Sequence, residues 1–454
     1  MDAIEIGQVG RGIEGFLAEY SDCFGRCDTE SYLAVYVRGQ NSNLQRKSVE
    51  PMALQAGVPP RSLQAFLSLL KWDEERMVDR TQQIVTRDHA HAKAIGSVDE
   101  TGCPKKGIHT AGVQHQWCGS TGKVDNCVVS VHLGYTVGDF HCLLDGDLFL
   151  PKNWANDPVR REAVGIPEDV VHRSKPEMAL AQIRRALANG VRVAAWTFDE
   201  HYGQSYEFLD ELDALGQTYV AEVPCSFRGW AVYPKLVHRM TPQEIRRGGR
   251  KHPVPRLAGG APKASRADKL LRHSPAFRNQ PWTAIHLKDA EKGPMVREVK
   301  VIPFWMQRKG LPTRAHWLLV ARNPQEPKEV KFFVSNAPAG TPIEWLTYVG
   351  YSRWSIERCF EEDKDELGFD HFEVRGWQAI HRHMYLTQVS HLYLNKAREK
   401  LVAQERAQEE AGVFSLPGAR RRPSHVSGRK PDGQPDSRSR VCLVPGRRAT
   451  AVGS

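Results

Sequence analysis

With 454 residues, 41% of them apolar, the chain has room for two or three ordinarily packed domains. No apolar run is long enough to cross a bilayer, the start MDAIEIGQVGRGIEGF lacks the basic and apolar regions of a signal peptide, and nine scattered cysteines argue against a disulfide framework, so the chain reads as cytoplasmic. The net charge of +10 is concentrated in two Gly/Pro-rich stretches, residues 246–280 at +9 and 411–454 at +7, which leaves −6 elsewhere; each is either an electrostatic arm for DNA or RNA or a solvated segment.

Residues 1–90 carry helical periodicity. Within them MALQAGVPPRSLQAFLSLL has Ala53 and Ala56 as small packing positions, Gly57 at a turn, and Leu63, Phe66 and Leu67 on a second amphipathic helix. This suits a helix-turn-helix whose second helix, beginning near Arg61 and Gln64, enters a major groove, and it suits a plain helical hairpin equally. Cys23 and Cys27 have no second pair at finger spacing and do not define a zinc site.

From about residue 91 the texture turns to strands, AKAIGSVDE, AGVQHQWCG and NCVVSVHLGYTVG. A helix follows, with Ser174 and Glu177 as a capping box, Pro176 in its first turn and Gly190 as its stop. The strand RVAAWTFD, the helix SYEFLDELDALG and the strand TYVAEVP then form a crossover, so the fold class is α/β, a mixed sheet flanked by helices. A basic, β-rich insertion at about 225–300 interrupts this core, and strands resume with REVKVIPFW, HWLLVAR and KFFVSNA. Thr341 and Glu344 read as a capping box, with Pro342 at the first position of one helix running to Gly368, and an amphipathic helix covers about 377–410.

Three acids fall where such a core could gather them: Asp99 and Asp199 at the ends of strands, and Glu357 on the capped helix. Two strand-end aspartates and a helix-borne glutamate can hold the pair of Mg²⁺ ions that neutralise charge in phosphodiester chemistry. On a continuous helix Arg353, Glu357 and Lys364 fall within roughly 60° of one face, so the cations can contact phosphates beside the carboxylate. Glu361 shares much of that face, and an exposed helix laced with ion pairs gives the same spacing. A glycosidase using paired carboxylates leaves the two basic stretches unexplained.

The segments VDETGCPKKG, GKVDNC, DLFLPKNW, FDEHYG, YVAEVP and RWSIERCFEEDKDELGFDHFEVR together resemble the DDE-type transposases of bacterial insertion sequences, in the cut-and-paste branch with a Tyr-Arg-Glu-Lys signature, over roughly residues 12–395. The resemblance implies an RNase H-like catalytic core with Asp99, Asp199 and Glu357 as catalytic, metal-binding triad. Arg353 and Lys364 match the signature's Arg and Lys, which selects Glu357 over Glu361. The tyrosine departs from the pattern: its position is Gly350, with Tyr351 one residue too close to Arg353. Tyr351, Arg353 and Lys364 are the implied DNA-contacting residues.

The implied organisation is a helical N-terminal DNA-binding domain at 1–90, a catalytic domain at 91–372 interrupted by the insertion, a helical region at 373–410 and a basic disordered tail at 411–454. Glu100, Glu200 and His201 read as supporting groups rather than ligands, and Trp230, Trp282 and Trp305 as β-core residues before wedges between bases. The implied activity is cleavage of element ends and joining of their 3′-hydroxyls to target DNA. It uses two Mg²⁺ ions, replaceable by Mn²⁺, and a homodimer paired on two ends of double-stranded DNA, in a cytoplasmic, nucleoid-associated setting. An RNase H-fold nuclease without strand transfer and a catalytically silent DNA-binding regulator are the alternatives.

Overall fold

The computed structural model describes residues 12–239, 254–290 and 293–410; the tail from 411 and part of the first basic stretch lie outside them. Two compact units divide the described chain. The first holds residues up to 94, 99–192 and 355 onward; the second holds 95–98 and 193–354.

After a helical segment at residues 12–23, the first unit continues with helices α1 (Cys27–Gln40), α2 (Val49–Gln55), α3 (Pro60–Ser68) and α4 (Glu74–His89). Gly57, at φ +68°, makes the turn between α2 and α3 in a conformation that a side chain disfavours. Leu63, Phe66 and Leu67 of α3 are fully buried, as is Ala53, whereas Ala56 is exposed. Asp73 caps α4 by accepting from the Arg76 N–H at 2.9 Å.

Strand β1 (Ile95–Pro104) is shared, its first four residues belonging to the second unit and the rest to the first. In the first unit it neighbours β3 (Lys123–Val137), which pairs antiparallel with β2 (Gln114–Cys118) and with β4 (Phe140–Leu148). The β3–β4 hairpin closes through Gly138 at φ +58°. Helix α5 (Lys175–Ala188) starts with the expected capping box of Ser174 and Glu177 and ends before Gly190, at φ +88°. Its Met178, Ala179, Ile183 and Ala186 are buried, at the spacing of one helical face.

In the second unit β1 runs parallel to β5 (Ala195–Phe198), in the register Ile95↔Ala195 to Val98↔Phe198. The next strands are reached through the short helix α6 (Glu200–Gly203) and α7 (Tyr206–Ala214), after which β6 (Tyr219–Val223) lies parallel to β5. Next in the chain come β7 (Arg228–Trp230), a separate hairpin of β8 (Leu236–Arg239) with β9 (Val254–Leu257), and β10 (Ser265–Arg266). They are followed by β11 (Thr283–Ala290), β12 (Gly293–Arg308), β13 (Leu311–Arg322) and β14 (Val330–Ser335). The order across the unit is β10-β7-β12-β13-β14-β6-β5-β1, with β11 also paired to β12, so strands of the basic insertion extend the same sheet. Lys309 and Gly310, both at positive φ, form the two-residue turn that joins β12 to β13. The three tryptophans singled out in the sequence belong to this packing. Trp230 is buried and sits opposite Trp305 in register, and Trp282 is half-buried under the Arg322 guanidinium at 4.1 Å.

The helix expected over 341–368 is two helices, α8 (Ile343–Tyr351) in the second unit and α9 (Trp354–Asp365), nearly all of it in the first. The interruption has a local cause: Ser352 Oγ donates back to the Tyr348 carbonyl at 2.7 Å while its N–H bonds Val349 O, which tightens and ends the turn. The capping box at its start does not form either. Thr341 Oγ1 donates to Pro338 O at 2.8 Å, and Pro342 stands just outside the first turn.

Helix α10 (Trp377–Glu410) closes the first unit. Its sequence pattern is amphipathic, yet from His381 to Tyr393 every residue is buried. A helix buried all round is ordinarily apolar; here several of the polar side chains have specific partners. His383 bonds Tyr36 Oη at 2.8 Å and Phe369 O at 2.9 Å, Gln40 bonds both Thr387 and Ser390, and His381 bonds Asp147 at 3.0 Å. The Arg382 guanidinium takes the carbonyls of Phe66, Leu67, Leu70 and Trp72 at the end of α3 and pairs with Glu74 at 2.9 Å. Each match removes the desolvation cost that would otherwise bar a polar group from the interior.

Candidate active site

The run AWTF of β5 is wholly buried, and Trp196 lies flat against β1: a Cβ on Gly96 would come within 2.2 Å of its ring. Asp199 follows at once, and it ends the strand by capping α6, its carboxylate accepting from the N–H groups of His201 at 2.9 Å and Tyr202 at 3.4 Å. Gly203 lets α6 press on β6, since a Cβ there would meet Glu222 O at 1.9 Å. Glu200 is the first helical residue, so strand alternation does not govern its direction, and His201 is exposed.

Asp99 does not close its strand; β1 runs on to Pro104 because its other edge still has β3 as partner after β5 has ended. Asp99 is 9% exposed, and its Oδ1 accepts the Glu100 N–H at 2.8 Å. The Glu100 carboxylate pairs with Lys175, at the start of α5, at 2.6 Å. Asp99 and Asp199 are each the first residue beyond the parallel pair Val98↔Phe198.

On α9, Ile356, Cys359, Phe360 and Asp363 point inward, Glu357 is half-buried in the first turn and Glu361 is exposed. Lys364, two turns beyond Glu357 on the same stripe, donates to Thr101 Oγ1 at 2.6 Å and Ser120 Oγ at 2.7 Å, with Gly102 O at 3.4 Å. These contacts fix which stripe of α9 faces β1. Arg353 lies in the break before α9, so its direction is set by the turn and not by helical spacing.

Tyr351 ends α8, half-buried against Phe333 with ring centroids 5.6 Å apart and the Arg297 guanidinium 5.1 Å from its ring; burial pushes its phenol well above the ordinary range. The displaced tyrosine of the signature has a steric counterpart. A Cβ at Gly350 would stand 3.1 Å from the Phe333 ring and 3.3 Å from Val220, so position 350 packs as a glycine. Asp99, Glu357 and Lys364 belong to the first unit, and Asp199, Tyr351 and Arg353 to the second.

Sequence reasoning passed over two acids of β4. Asp145 is fully buried, and burial pushes its carboxyl up to about 7. Asp147 is half-buried; desolvation pushes its carboxyl up, and the hydrogen bonds and charge of His381 and Arg173 outweigh this and hold it below the ordinary range. The signal was the DGD of the run CLLDGDL, acids within an otherwise apolar strand.

A sequence profile of the DDE superfamily endonucleases matches residues 19–294, more than half of the chain, and the protein belongs to that family. It is an endonuclease of the class that acts on DNA, as the resemblance to insertion-sequence transposases implied. A probable transposase for insertion sequence element IS701, from Microchaete diplosiphon, is 29% identical over 342 residues, which cover 75% of each chain. Among the described residues no helix is long and apolar enough to cross a membrane.

Proposed function

We propose that the protein is an insertion-sequence transposase that cuts the ends of its own element and joins the 3′-hydroxyl ends to target DNA. The observation that carries the proposal is the strand register: Asp99 and Asp199 both stand one residue past Val98↔Phe198, where the parallel pairing of β1 with β5 ends. The name of the Microchaete diplosiphon relative supports the same reading.

Asp99, Asp199 and Glu357 offer only hard carboxylate oxygens, a donor set suited to Mg²⁺ or Mn²⁺. When bound, the ions supply Lewis acidity at the scissile phosphate. The protein's own contribution is to fix the carboxylates: Asp99 by its N–H bond from Glu100, Asp199 by its cap on α6, and Glu357 by the stripe of α9 that Lys364 ties to β1. Arg353 and Lys364 hold phosphates beside them, with Tyr351 at the margin. Arg61 and Gln64, exposed on α3 while its apolar face is buried, read bases at the element ends. Joining two ends calls for two copies of the chain.

Incubating the protein with Mg²⁺ and DNA carrying the element's ends, then separating cleaved from joined products, tests the proposal. Both product classes are expected. Cleavage without joining would leave a nuclease, and binding without cleavage a regulator.

A further inference from the structure

Away from the carboxylates of the triad, the first unit contains a group of residues that the proposed phosphoryl transfer does not use. His141 on β4, Cys359 on α9 and His391 on α10 are buried, and one ligand atom from each lies within 4.8 Å of the other two. Glu362, one turn beyond Cys359, adds a carboxylate oxygen 3.1 Å from His141 Nε2 and 3.3 Å from His391 Nε2. Ligands bound at about 2.0 Å around a tetrahedral ion are about 3.3 Å apart, and the two imidazole–carboxylate separations match such edges.

The far side of each imidazole is equally specific. His141 Nδ1 donates to the Asp139 carbonyl at 3.0 Å, and His391 Nδ1 lies 2.8 Å from Asp363 Oδ1. The carbonyl on His141 Nδ1 fixes the tautomer that places its lone pair on Nε2, the arrangement that accompanies metal-bound histidines. Asp363 is 0% exposed and neither of its oxygens accepts a directed hydrogen bond, nor does either nitrogen of His391 make one, so the groups are held close without satisfying one another. Leu143, Ile356 and Phe360 cluster with Cys359 in an apolar surround. The remaining oxygen of Glu362 takes Arg358 at 2.9 Å.

We infer that Cys359, His141, His391 and Glu362 form a closed structural zinc site. One thiolate, two imidazoles and one carboxylate in tetrahedral array suit Zn²⁺, and they do not suit Mg²⁺, which takes oxygen ligands in octahedral geometry. The thiolate and the Glu362 carboxylate balance the two charges of the ion. Its mechanical effect is to bolt α9, the helix of Glu357 and Lys364, to β4 and α10.

The test uses the full chain, purified through a tag free of histidine and dialysed against metal-free buffer. Elemental analysis is expected to find about one zinc per chain. Exchange for Co²⁺ should give intense tetrahedral visible bands and a thiolate-to-cobalt charge-transfer band in the near ultraviolet. Cys359→Ser should abolish the charge-transfer band, and Cys359→Ser and His391→Ala should each reduce the zinc to less than about a tenth per chain. Cys142→Ser, at a neighbouring buried thiol, and Asp99→Ala should both keep it. If the ligand variants fail to fold, the wild-type metal content and cobalt spectrum still decide. Folded wild-type protein with less than about a tenth of a zinc per chain and no cobalt bands overturns the assignment, as does zinc that survives both ligand substitutions in folded protein.

Discussion

The ammonium of Lys364 donates to Thr101 Oγ1 at 2.6 Å, tying the last turn of α9 to β1 just beyond Asp99. A lysine that the sequence marks for phosphate thus also braces two elements that carry proposed catalytic carboxylates.

Lys364→Met removes the donor shared by Thr101, Ser120 and Gly102, and should lower stability by about 1–3 kcal/mol, read as a fall in the denaturation midpoint. The same substitution should flatten the slope of log K against log salt on duplex DNA by roughly 0.9, the signature of one lost phosphate contact. A lowered midpoint with an unchanged slope would make Lys364 a strut alone.

Asp99→Ala, Asp199→Ala and Glu357→Gln should each abolish cleavage and joining while leaving DNA binding nearly intact, because losing one carboxylate misplaces an ion without touching the contacts to the duplex. Glu361→Gln, at an exposed position of the same helix, should remain active. Product gels beside band-shift titrations check both statements, and wild-type cleavage by any of the first three variants would remove that residue from the site.

Arg382 is 2% exposed and holds four carbonyls at the end of α3. Arg382→Met should cost about 3–5 kcal/mol, since the carbonyls and Glu74 lose their charged partner together. Amide exchange in α3 should accelerate more than in β3 or β4. Uniform acceleration through the unit would contradict a local role.

Asp145 supplies a pH dependence. Its buried carboxyl titrates near 7 against an unfolded value near 3.8, despite the facing Arg185, while Asp147 and Glu75 add like charge. The native state therefore holds the proton more tightly, so this residue's contribution to stability declines as pH rises from about 4 to about 7 and is level above that. Asp145→Asn should melt at a higher temperature than wild type near pH 8, and the gap should close near pH 4. An equal gap at both values would show that Asp145 does not titrate in this window.

The sequence disclosed those features that short segments determine alone. The capping box of Ser174 and Glu177, the stop at Gly190 and the acids after VAAWTF and IGSV all follow from neighbours in the chain. It did not disclose the break at Ser352, because the hydroxyl's choice of the Tyr348 carbonyl leaves no compositional trace, nor the idle capping box at Thr341, whose hydroxyl turns to Pro338. Strand β1 outlasts its expected end because β3 supports its other edge, a long-range pairing. The burial of α10 was concealed by its own polar residues, whose partners lie far away in sequence. For the same reason His141, Cys359 and His391 did not read as a group: they come from one strand and two helices.

The matching of polar residues along α10 also sets an order of events during synthesis. Tyr36 and Gln40 find their partners in His383, Thr387 and Ser390, in the first case 347 residues further on. Until the ribosome has delivered that helix, Tyr36 and Gln40 lack those partners and the carbonyls that end α3 lack their cation. A chain cut short before α10 would therefore carry the proposed end-reading helices in an unfinished, sticky form, exposed to proteolysis. Completion of α10 is therefore expected to precede assembly of the surface with which the protein would grip DNA.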